Sequence, residues 1–528
     1  MPDPLSPLFE QLYLREGLDR SMDAIVTLVL GDGLRLEDMV ERPLFATVNG
    51  FAYQRADYHI RPMMVPKMLR MTVTKMRALF GEAAADWRDQ ALPTYLATVD
   101  RWRSADVAAM SDDDLLRGVR ELAWADAEYW WACALVVGAA KLTDGLLNRF
   151  LTVAARDRGL TSGLFLRGFA SKTLEGDAAL EALAEQARTS DALRQAVLKT
   201  PAEDLPETLR ATPGGDAVLA GLDAYFHDFG HQIYSLDFAE PTQAEDPLPT
   251  LQSLQARVAG EPRDVRALRA AIARERDTCT QETVRSLGPA RRRVFSVLLR
   301  WAQRYGPGRE EALFHLGAGW PTLRRLAAEL GRRLVATDTL GTPDDVYFLD
   351  TAELEAAISA AAAGEPRPEL AALVQQRRAL RQDRMRLRAP AAVPPKTRLR
   401  LGPFDLSGFE TQKRNIEDNE ATLDGFPVSP GRVTAPASVV LGPEDFGAMT
   451  PGSILVCPTT TPAWTPLFAQ ARGLVTDISG ILAHGSIVAR EYGIPAVMGT
   501  GSATRRIRQG QIITVDGDRG VVELDAQT

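Results

Sequence analysis

The pattern of apolar residues changes once along this chain of 528 residues, close to position 389. Before that position, apolar residues recur at helical spacing, as in "ALRQAVLKT" and "PTLRRLAAELGRRLV". After it, short β-branched runs such as "SILVCP" and "QIITVDG" alternate with glycine and proline turns. The change predicts a multidomain protein in which a large, mainly α-helical domain is followed by a compact α/β domain.

The stretch "APAAVPPKTR" at 389–398 shows neither the helical spacing nor the strand-like runs and is rich in proline, which is typical of a linker. We therefore predict a helical domain over 1–388, a linker over 389–422 and an α/β domain over 423–528. Within the helical domain, "TPGGD", "GEPRD", "YGPGRE" and "GTPDD" predict breaks between helices. The third break implies that Arg309 and Glu310 begin a new helix.

Composition and charge exclude several classes of protein. A net charge of -8 argues against a nucleic-acid partner. The first twenty residues do not resemble a signal peptide, and the run "YWWACALVVGAAKL" is shorter than the ~20 residues that span a bilayer. We therefore expect a cytoplasmic protein without a membrane partner, and the Ala- and Arg-rich composition fits a bacterium with a high-GC genome. The scattered Cys133, Cys279 and Cys457 predict reduced thiols and no metal site.

The segment "SGILAHGSIVAREYGIPAV", Ser479–Val497, places a histidine at the predicted start of a short helix. The helix should begin near His484 and end at "EYGIP", where Gly493 can cap it and Pro495 prevents continuation. The chain contains only five histidines, so this position invites a chemical explanation.

An anion site is predicted at the start of that helix. The first amide groups of a helix are unpaired and carry partial positive charge, and Gly480 and Gly485 allow close approach of the backbone. Ser486 adds a hydroxyl group in the first turn. Imidazole, with a pKa of ~6.5, is a usable nucleophile at neutral pH. The spacing therefore favours His484 as a phosphoryl carrier about as strongly as it favours a plain helix cap.

Residues Leu423–Leu524, from "LDGFPVSPGRV" to "GVVEL", resemble the swivelling phosphohistidine domain of phosphoenolpyruvate-utilising enzymes, particularly the rifampin phosphotransferase-like ones. In that family the histidine takes a phosphoryl group at an ATP-grasp domain and swings to a second site. The resemblance implies that His484 is phosphorylated, with Arg490, Glu491 and Thr476 near it. His484 and Arg490 thus become candidate catalytic residues, and Thr476 joins the phosphate seat.

The helical region resembles, in the family's order, the substrate-binding domain of rifampin phosphotransferase-like proteins. The segments that carry this resemblance are "LFATVNGFAYQR", "YFHDFGHQIYSLDFAEPTQAEDP", "REEALFHLGAGWPTLRRLAAELGRRL" and "GTPDDVYFLDTAEL". The resemblance implies a small-molecule substrate in the helical domain, with Arg309, Gln232 and Glu310 on the substrate side. His231 is a candidate catalytic base, and a histidine packed at a turn is the equally weighted alternative.

The chain departs from the family at several chemical positions. No segment resembles the ATP-grasp domain, so we expect no bound cofactor, with ATP and magnesium acting only through a separate ATP-grasp subunit. Ala483, Gln232 and Leu313 stand where the family has a hydroxyl or thiol residue, an arginine and a lysine. The loss of two cations weakens the case for ordinary phosphoryl transfer, because charge neutralisation dominates that chemistry.

Other polar residues receive structural interpretations. His227 lies four residues before His231, but a third ligand is missing, so no metal is expected. We expect a solvated loop for the downstream carboxylates, which are Asp237, Glu240, Glu245 and Asp246.

Three functions remain open on these grounds. The leading hypothesis is a phosphohistidine-dependent phosphotransferase that acts on a small molecule and swivels on the linker. The alternative is a repurposed, ATP-independent enzyme that uses His484 as an acid or base for elimination or isomerisation. The third is a regulatory carrier that changes partner on phosphorylation.

Overall fold

Helices make up most of the described chain up to Met385, and strands dominate after Thr422. This order confirms the predicted fold class. The structure is a computed structural model, and it describes residues 3–22, 41–55, 87–154, 160–262, 264–387, 389–390, 393, 400–401, 404–405, 421–478 and 484–524.

The helices and strands are numbered here in chain order. The α-helices are α1 Leu92–Arg103, α2 Asp112–Ala154, α3 Lys172–Arg188, α4 Asp191–Lys199, α5 Leu205–Ala211, α6 Gly215–Phe229, α7 Leu248–Ala259, α8 Val265–Ser286, α9 Pro289–Phe314, α10 Trp320–Ala336, α11 Thr351–Ala362, α12 Pro368–Met385, α13 Thr465–Phe468, α14 His484–Tyr492 and α15 Ala503–Arg506. The strands are β1 Phe45–Val48, β2 Phe51–Gln54, β3 Arg400–Leu401, β4 Phe404–Asp405, β5 Thr422–Asp424, β6 Phe426–Ser429, β7 Arg432–Val439, β8 Ile454–Cys457, β9 Gly473–Thr476, β10 Ala496–Met498, β11 Ile512–Asp516 and β12 Val521–Leu524. Two π-helical segments precede α1, namely Phe9–Leu18 and Trp87–Ala91.

The chain forms two compact units that do not follow the order of the sequence. One contains Met1–Leu135, Ser235–Pro241 and His315–Phe409, and the other contains Val136–Tyr234, Thr242–Phe314 and Glu410–Thr528. The predicted boundaries at 388 and 422 stay a prediction, and most of the predicted linker lies outside the described residues.

The first unit is organised around a buried carboxylate. The side chain of Asp126 accepts hydrogen bonds from the hydroxyl groups of Tyr13 (2.6 Å) and Tyr95 (2.5 Å) and from the backbone N–H of Gly317 (2.9 Å). Burial raises the pKa of Asp126, and these donors oppose the shift. The unit also holds the antiparallel hairpin β1–β2, a strand pair that the helical periodicity does not predict.

Helix α2 contains the most apolar run of the sequence. The helix extends over 43 residues, so it is long enough to cross a membrane although the apolar run within it is shorter than a span. Among the described residues, α2 is the one helix that meets the length and hydropathy criteria for a span, with a mean hydropathy of 1.3 in its most apolar window. Its side chains at Val136, Val137 and Leu147 are buried as in a core helix. The cytoplasmic location stays a prediction.

The prediction of a helix break at "YGPG" is wrong. Helix α9 runs through it, with Pro307 in its interior. A proline there removes one backbone hydrogen bond and usually bends a helix. Packing on both sides of Pro307 offsets this cost, because Tyr305 and Ala312 are almost fully buried. Arg309 therefore lies inside a long helix and not at the start of a short one.

The second unit contains the eight-stranded sheet, in the order β5-β12-β11-β7-β8-β9-β10-β6. Strands β7, β8, β9 and β10 run parallel to one another, and the remaining pairs are antiparallel. Only Gly425 separates the strands at the two edges, β5 and β6. The two edges must therefore lie side by side, so the sheet curls towards a closed barrel.

Side chains on the central strands alternate between two apolar clusters, as strand geometry requires. Ile454 and Val456 belong to the cluster on one face of the sheet. Leu455 and Cys457 belong to the cluster on the other face, where Val488 of α14 also packs. Because both faces are covered, these strands are apolar throughout, as buried parallel strands are.

We predict that Gly425→Ala destabilises the sheet. A Cβ atom at Gly425 would lie 2.5 Å from Val497 Cγ1 and 2.8 Å from the Met498 carbonyl oxygen, so the junction of the two edges must shift. Overpacking of this kind costs about 1–3 kcal/mol, measurable by chemical denaturation. Gly447→Ala is the matched control, because its Cβ would meet nothing closer than 3.7 Å. Equal effects of the two substitutions would contradict the closure argument.

Candidate functional site

Helix α14 begins at His484, as the sequence predicts, and follows the carboxyl end of β9. It ends in a Schellman motif, in which Gly493 N–H bonds to the Arg490 carbonyl and Ile494 N–H bonds to the Ala489 carbonyl. Gly493 has a φ of +65°, which explains why glycine occupies the cap. The side chain of His484 lies outside the described residues, and so do Gly480 and Ala483.

The first turn of α14 packs closely against Thr460. A Cβ atom on Gly485 would lie 2.5 Å from Thr460 Oγ1, so only glycine permits this approach. Thr460 is buried, and its hydroxyl group was missed by the sequence reasoning. Thr476, predicted as part of the phosphate seat, is buried, and its hydroxyl group donates to the Ile478 carbonyl at 2.9 Å. Its role in the phosphate seat stays a prediction.

Arg309 of α9 reaches the first turn of α14. Its Nη2 donates to Ser486 Oγ at 3.4 Å, and both residues are buried. The next residue, Glu310, lies with Oε1 4.0 Å from Arg309 Nε and accepts a bond from Thr173 Oγ1 at 3.5 Å. The structure thus brings together the predicted seat residue Ser486 and the predicted substrate-side residues Arg309 and Glu310.

Lys141 of α2 is a second cation that the sequence reasoning missed. Burial and the charge of Arg309 lower its pKa to about 8. Helices α2 and α9 run antiparallel, since Val136 meets Gly308 and the Phe150 ring lies 6.2 Å from the Phe295 ring. A single lysine within the apolar run "ACALVVGAAKL" was the available sequence signal. The sequence could not show that Lys141 lies near Arg309, because helices α2 and α9 are far apart in the chain.

Arg490 holds α14 in place through two contacts. Its Nε donates to the Val428 carbonyl at 2.5 Å, and its Nη1 lies 3.6 Å from Asp144 Oδ2. Asp144 is one turn beyond Lys141 on α2, so α2 contacts α14 near its carboxyl end. In this arrangement Arg490 positions α14, and its predicted catalytic role stays a prediction.

Glu491, beside Arg490, carries the most strongly perturbed carboxyl group of this site. Burial raises its pKa to about 7, and the nearby Glu310 adds to the shift. The N–H groups of Gly168 and Phe169 and the charge of Arg269 oppose it. The Gly168 bond is 2.9 Å long. A carboxyl group that titrates near neutral pH is typical of functional sites.

His231 and Gln232 lie at the turn that follows α6. The Nε2 atom of His231 is 2.8 Å from the Phe314 carbonyl, so Nε2 carries a proton, and the ring meets the Phe314 ring edge-on at 4.7 Å. Both predictions for His231, catalytic base and packed histidine, stay open. Gln232 is buried, and Thr461 Oγ1 donates to the carbonyl of the next residue, Ile233, at 2.7 Å.

Of the remaining polar residues considered in the sequence analysis, His227 lies in the second unit and Asp237 in the first. His227 is exposed and bonds to Asp228 at 3.0 Å, and the described residues contain no group of three or more potential metal ligands. The expectation of a solvated loop is wrong for Asp237, which is buried and accepts bonds from Ser6 N–H (2.6 Å) and Ser6 Oγ (2.9 Å). The sequence could not show this, because Ser6 lies 231 residues away.

These contacts place five polar side chains where helices α2 and α9 meet α14. We call them the interface cluster, and they are Lys141, Arg309, Glu310, Ser486 and Glu491. The cluster combines two cations, two carboxylates and the hydroxyl group of Ser486, which lies in the first turn of α14. This arrangement is suited to an anionic group and a proton acceptor.

Comparison with known proteins finds a family match for each of the two regions that contribute to the interface cluster. Residues 133–310 match the family described as the fourth domain of rifampicin phosphotransferase. Residues 449–520 match the mobile domain of PEP-utilising enzymes. The chain belongs to the phosphoenolpyruvate-utilising, rifampicin phosphotransferase-like family. Lys141 and Arg309 lie in the first match, and α14 lies in the second.

Several curated relatives are similar over most of the chain. A chondramide synthase of Chondromyces crocatus is 32% identical over 68% of this chain and 10% of its own length. An uncharacterised phosphotransferase of Bacillus subtilis is 29% identical over 68% of this chain and 43% of its own length. A rifampicin phosphotransferase of a Streptomyces species is 30% identical over 60% of this chain and 36% of its own length. The chain thus spans less than half the length of each of these relatives.

We predict that Glu491 makes stability fall as pH rises from about 4.5 to about 7. The pKa of Glu491 is raised from 4.5 to about 7 in the folded chain, so folding takes up a proton within this window. The slope is at most about 1.4 kcal/mol per pH unit, and Glu491→Gln should remove it. Denaturant unfolding at several pH values measures the effect, with the exposed Glu444→Gln as control. A wild-type slope retained in Glu491→Gln would refute the assignment.

Proposed function

We propose that this chain is the acceptor-side half of a phosphotransferase, in which His484 carries a phosphoryl group to a small molecule held by the helical region. The observation that carries the proposal is the contact of 3.4 Å between Arg309 and Ser486. It sets a buried guanidinium group beside the first turn of the helix that begins at His484. A phosphoryl group on that residue would therefore meet both the helix end and a cation.

The chemistry needs little more than position and charge. Phosphoryl transfer breaks the P–N bond to imidazole and forms a P–O bond to the acceptor, while negative charge spreads over the phosphoryl oxygens. Arg309 and Lys141 neutralise that charge. Lys141 thereby supplies, from another helix, the positive charge missing at Leu313, which is buried among apolar groups. This compensation replaces one of the two cations whose loss the sequence indicates.

The donor in this proposal is a separate ATP-grasp protein, which binds ATP and magnesium itself. The chain contributes the carrier histidine and the acceptor site, and works in the cytoplasm on a small molecule. The relatives named as phosphotransferases support the reaction class.

A second candidate function is proton-transfer catalysis without ATP, in which His484 acts as acid or base. The observation that favours it is Glu491, whose pKa of about 7 and proximity to Glu310 suit a group that exchanges protons at neutral pH. The two functions differ in one requirement. Only the phosphotransferase needs a phosphoryl donor for turnover.

We predict that phosphoramidate, which phosphorylates imidazole rings directly, labels His484 faster than the exposed His227 of the same molecule. The helix end and Arg309 stabilise the incoming group at His484, whereas His227 has solvent around it. Mass spectrometry under alkaline conditions locates the acid-labile phosphate. Arg309→Gln should slow labelling at His484 and leave His227 unchanged. Equal labelling of both histidines would contradict the proposed seat.

We predict that Lys141→Gln slows phosphorylation of His484 by roughly 10²-fold, the usual effect of removing one group that stabilises developing charge. The wild-type rate, expressed relative to His227, should fall as pH rises through about 8, because Lys141 then loses its proton. Lys141→Arg should keep the rate above that pH.

The exposed Lys199→Gln is the matched control for this series, since α4 takes no part in the interface cluster. Identical pH profiles in the wild type and in Lys141→Arg would exclude Lys141 as the titrating cation.

A further inference from the structure

Thr460 lies beyond the carboxyl end of β8, beside the segment that leads from β9 to α14. Strands β8 and β9 are parallel neighbours, and the chain segments that follow them stay together. Asp477 N–H bonds to the Cys457 carbonyl at 3.1 Å, and Ile478 N–H bonds to the Pro458 carbonyl at 2.9 Å. The carboxyl ends of parallel strands are the usual place for a ligand site. Thr460 is therefore at the edge of the sheet where such a site is expected.

The hydroxyl group of Thr460 is buried without a hydrogen-bond partner. The residue is 4% exposed, and no group in the part of the chain that the structure describes hydrogen-bonds to its Oγ1 atom. A valine would fill the same space without a polar atom, so the buried hydroxyl group lowers stability and gains no bond in return. Such groups are rare in native proteins, and each requires a specific explanation.

The unpaired oxygen lies against the first turn of α14. A Cβ atom on Gly485 would be 2.5 Å from it, so glycine is what allows the helix to approach this hydroxyl group. The first amide groups of a helix lack partners within the helix and carry partial positive charge. In the same turn, Ser486 Oγ accepts a bond from Arg309 at 3.4 Å. Thr460 thus adds a buried donor at a point that already favours an anion.

Thr460 and Arg309 approach this turn from different parts of the chain. Thr460 and α14 both lie within 449–520, the match to the mobile domain. Arg309 lies within 133–310, the match to the fourth domain of rifampicin phosphotransferase. Movement of the mobile domain would therefore separate Arg309 from α14 but would carry Thr460 along with it.

We propose that Thr460 is a further residue of the phosphoryl site, and that its hydroxyl group donates to an oxygen of the phosphoryl group on His484. The inference rests on the proposed function and deepens it. It accounts both for a buried hydroxyl group that has no bond inside the protein and for the glycine at 485 that lets the helix reach it. Because Thr460 and His484 share a domain, Thr460 orients the phosphoryl group before and after α14 meets the helical region.

Two substitutions at Thr460 separate this role from a structural one. Thr460→Val removes the hydroxyl group and keeps the shape of the side chain, whereas Thr460→Ser keeps the hydroxyl group and removes a methyl group. We expect Thr460→Val to leave the denaturation midpoint unchanged or higher. It should slow phosphoramidate labelling of His484, relative to His227, by roughly 10- to 100-fold, the usual loss for one donor to a charged group. Thr460→Ser should lower the midpoint and keep the labelling rate close to that of the wild type.

Thr434→Val is the matched control, because the Thr434 hydroxyl group has a partner in the same sheet, Thr514 Oγ1 at 2.7 Å. This substitution should lower the midpoint and leave labelling unchanged. A Thr460→Val chain that unfolds more easily than the wild type, or that labels His484 at the wild-type rate, overturns the inference and leaves the proposed function intact. A wild-type chain that labels His484 no faster than His227 overturns the proposed function and, with it, this inference.

Discussion

The packing of α14 between two partners is the constraint on which the site depends. A helix of nine residues is too short to be stable alone, so its position must come from its neighbours. Val488 and Ala489 fix one face in the apolar cluster of the sheet. Ser486, Arg490 and Glu491 fix the other face on α9, α2 and the Gly168 turn. Both sets of contacts are required, because neither set alone defines the direction of α14.

This packing decides which charges meet. The antiparallel pair α2 and α9 brings Lys141 towards Arg309, two like charges that are costly to bury together. Glu310 offsets part of that cost, because its Oε1 lies 4.0 Å from Arg309 Nε, and its negative charge in turn helps to raise the pKa of Glu491. The interface cluster is therefore a balanced set in which any added anion or proton changes the ionisation of its neighbours. Such coupling is what phosphoryl and proton transfer both require.

The sequence predicts those features whose signals are local. The end of α14 is correct because Gly493 takes a positive φ and Pro495 follows it, both of which are properties of a few adjacent residues. The strands after Thr422 are correct for the same reason. The hairpin β1–β2 departs from the helical pattern predicted around it, although its Asn49-Gly50 turn is a strong local signal for a hairpin. The sequence itself therefore carries the signal for this element.

Other errors have a non-local origin. Pro307 predicts a break, but burial of Tyr305 and Ala312 keeps α9 continuous, and this depends on partners far away in the chain. Asp237 carries the composition of a surface loop and is buried by Ser6. Lys141 was overlooked because its significance depends on Arg309, 168 positions later. In each case the deciding energy is tertiary, so residue order alone cannot supply it.

Several polar contacts hold α14 to the helical region in the described part of the chain, and this bears on movement. A typical hydrogen bond contributes about 0.5–1.5 kcal/mol net, so the bonds at Ser486, Glu491 and Thr461 amount to a modest total. The apolar cluster beneath α14 also includes Tyr234 of the helical region, which packs against Phe446. Release of α14 from the helical region would break these polar contacts and would uncover apolar surface at Tyr234 and Tyr492. The proposed carrier role of His484 requires this interface to open.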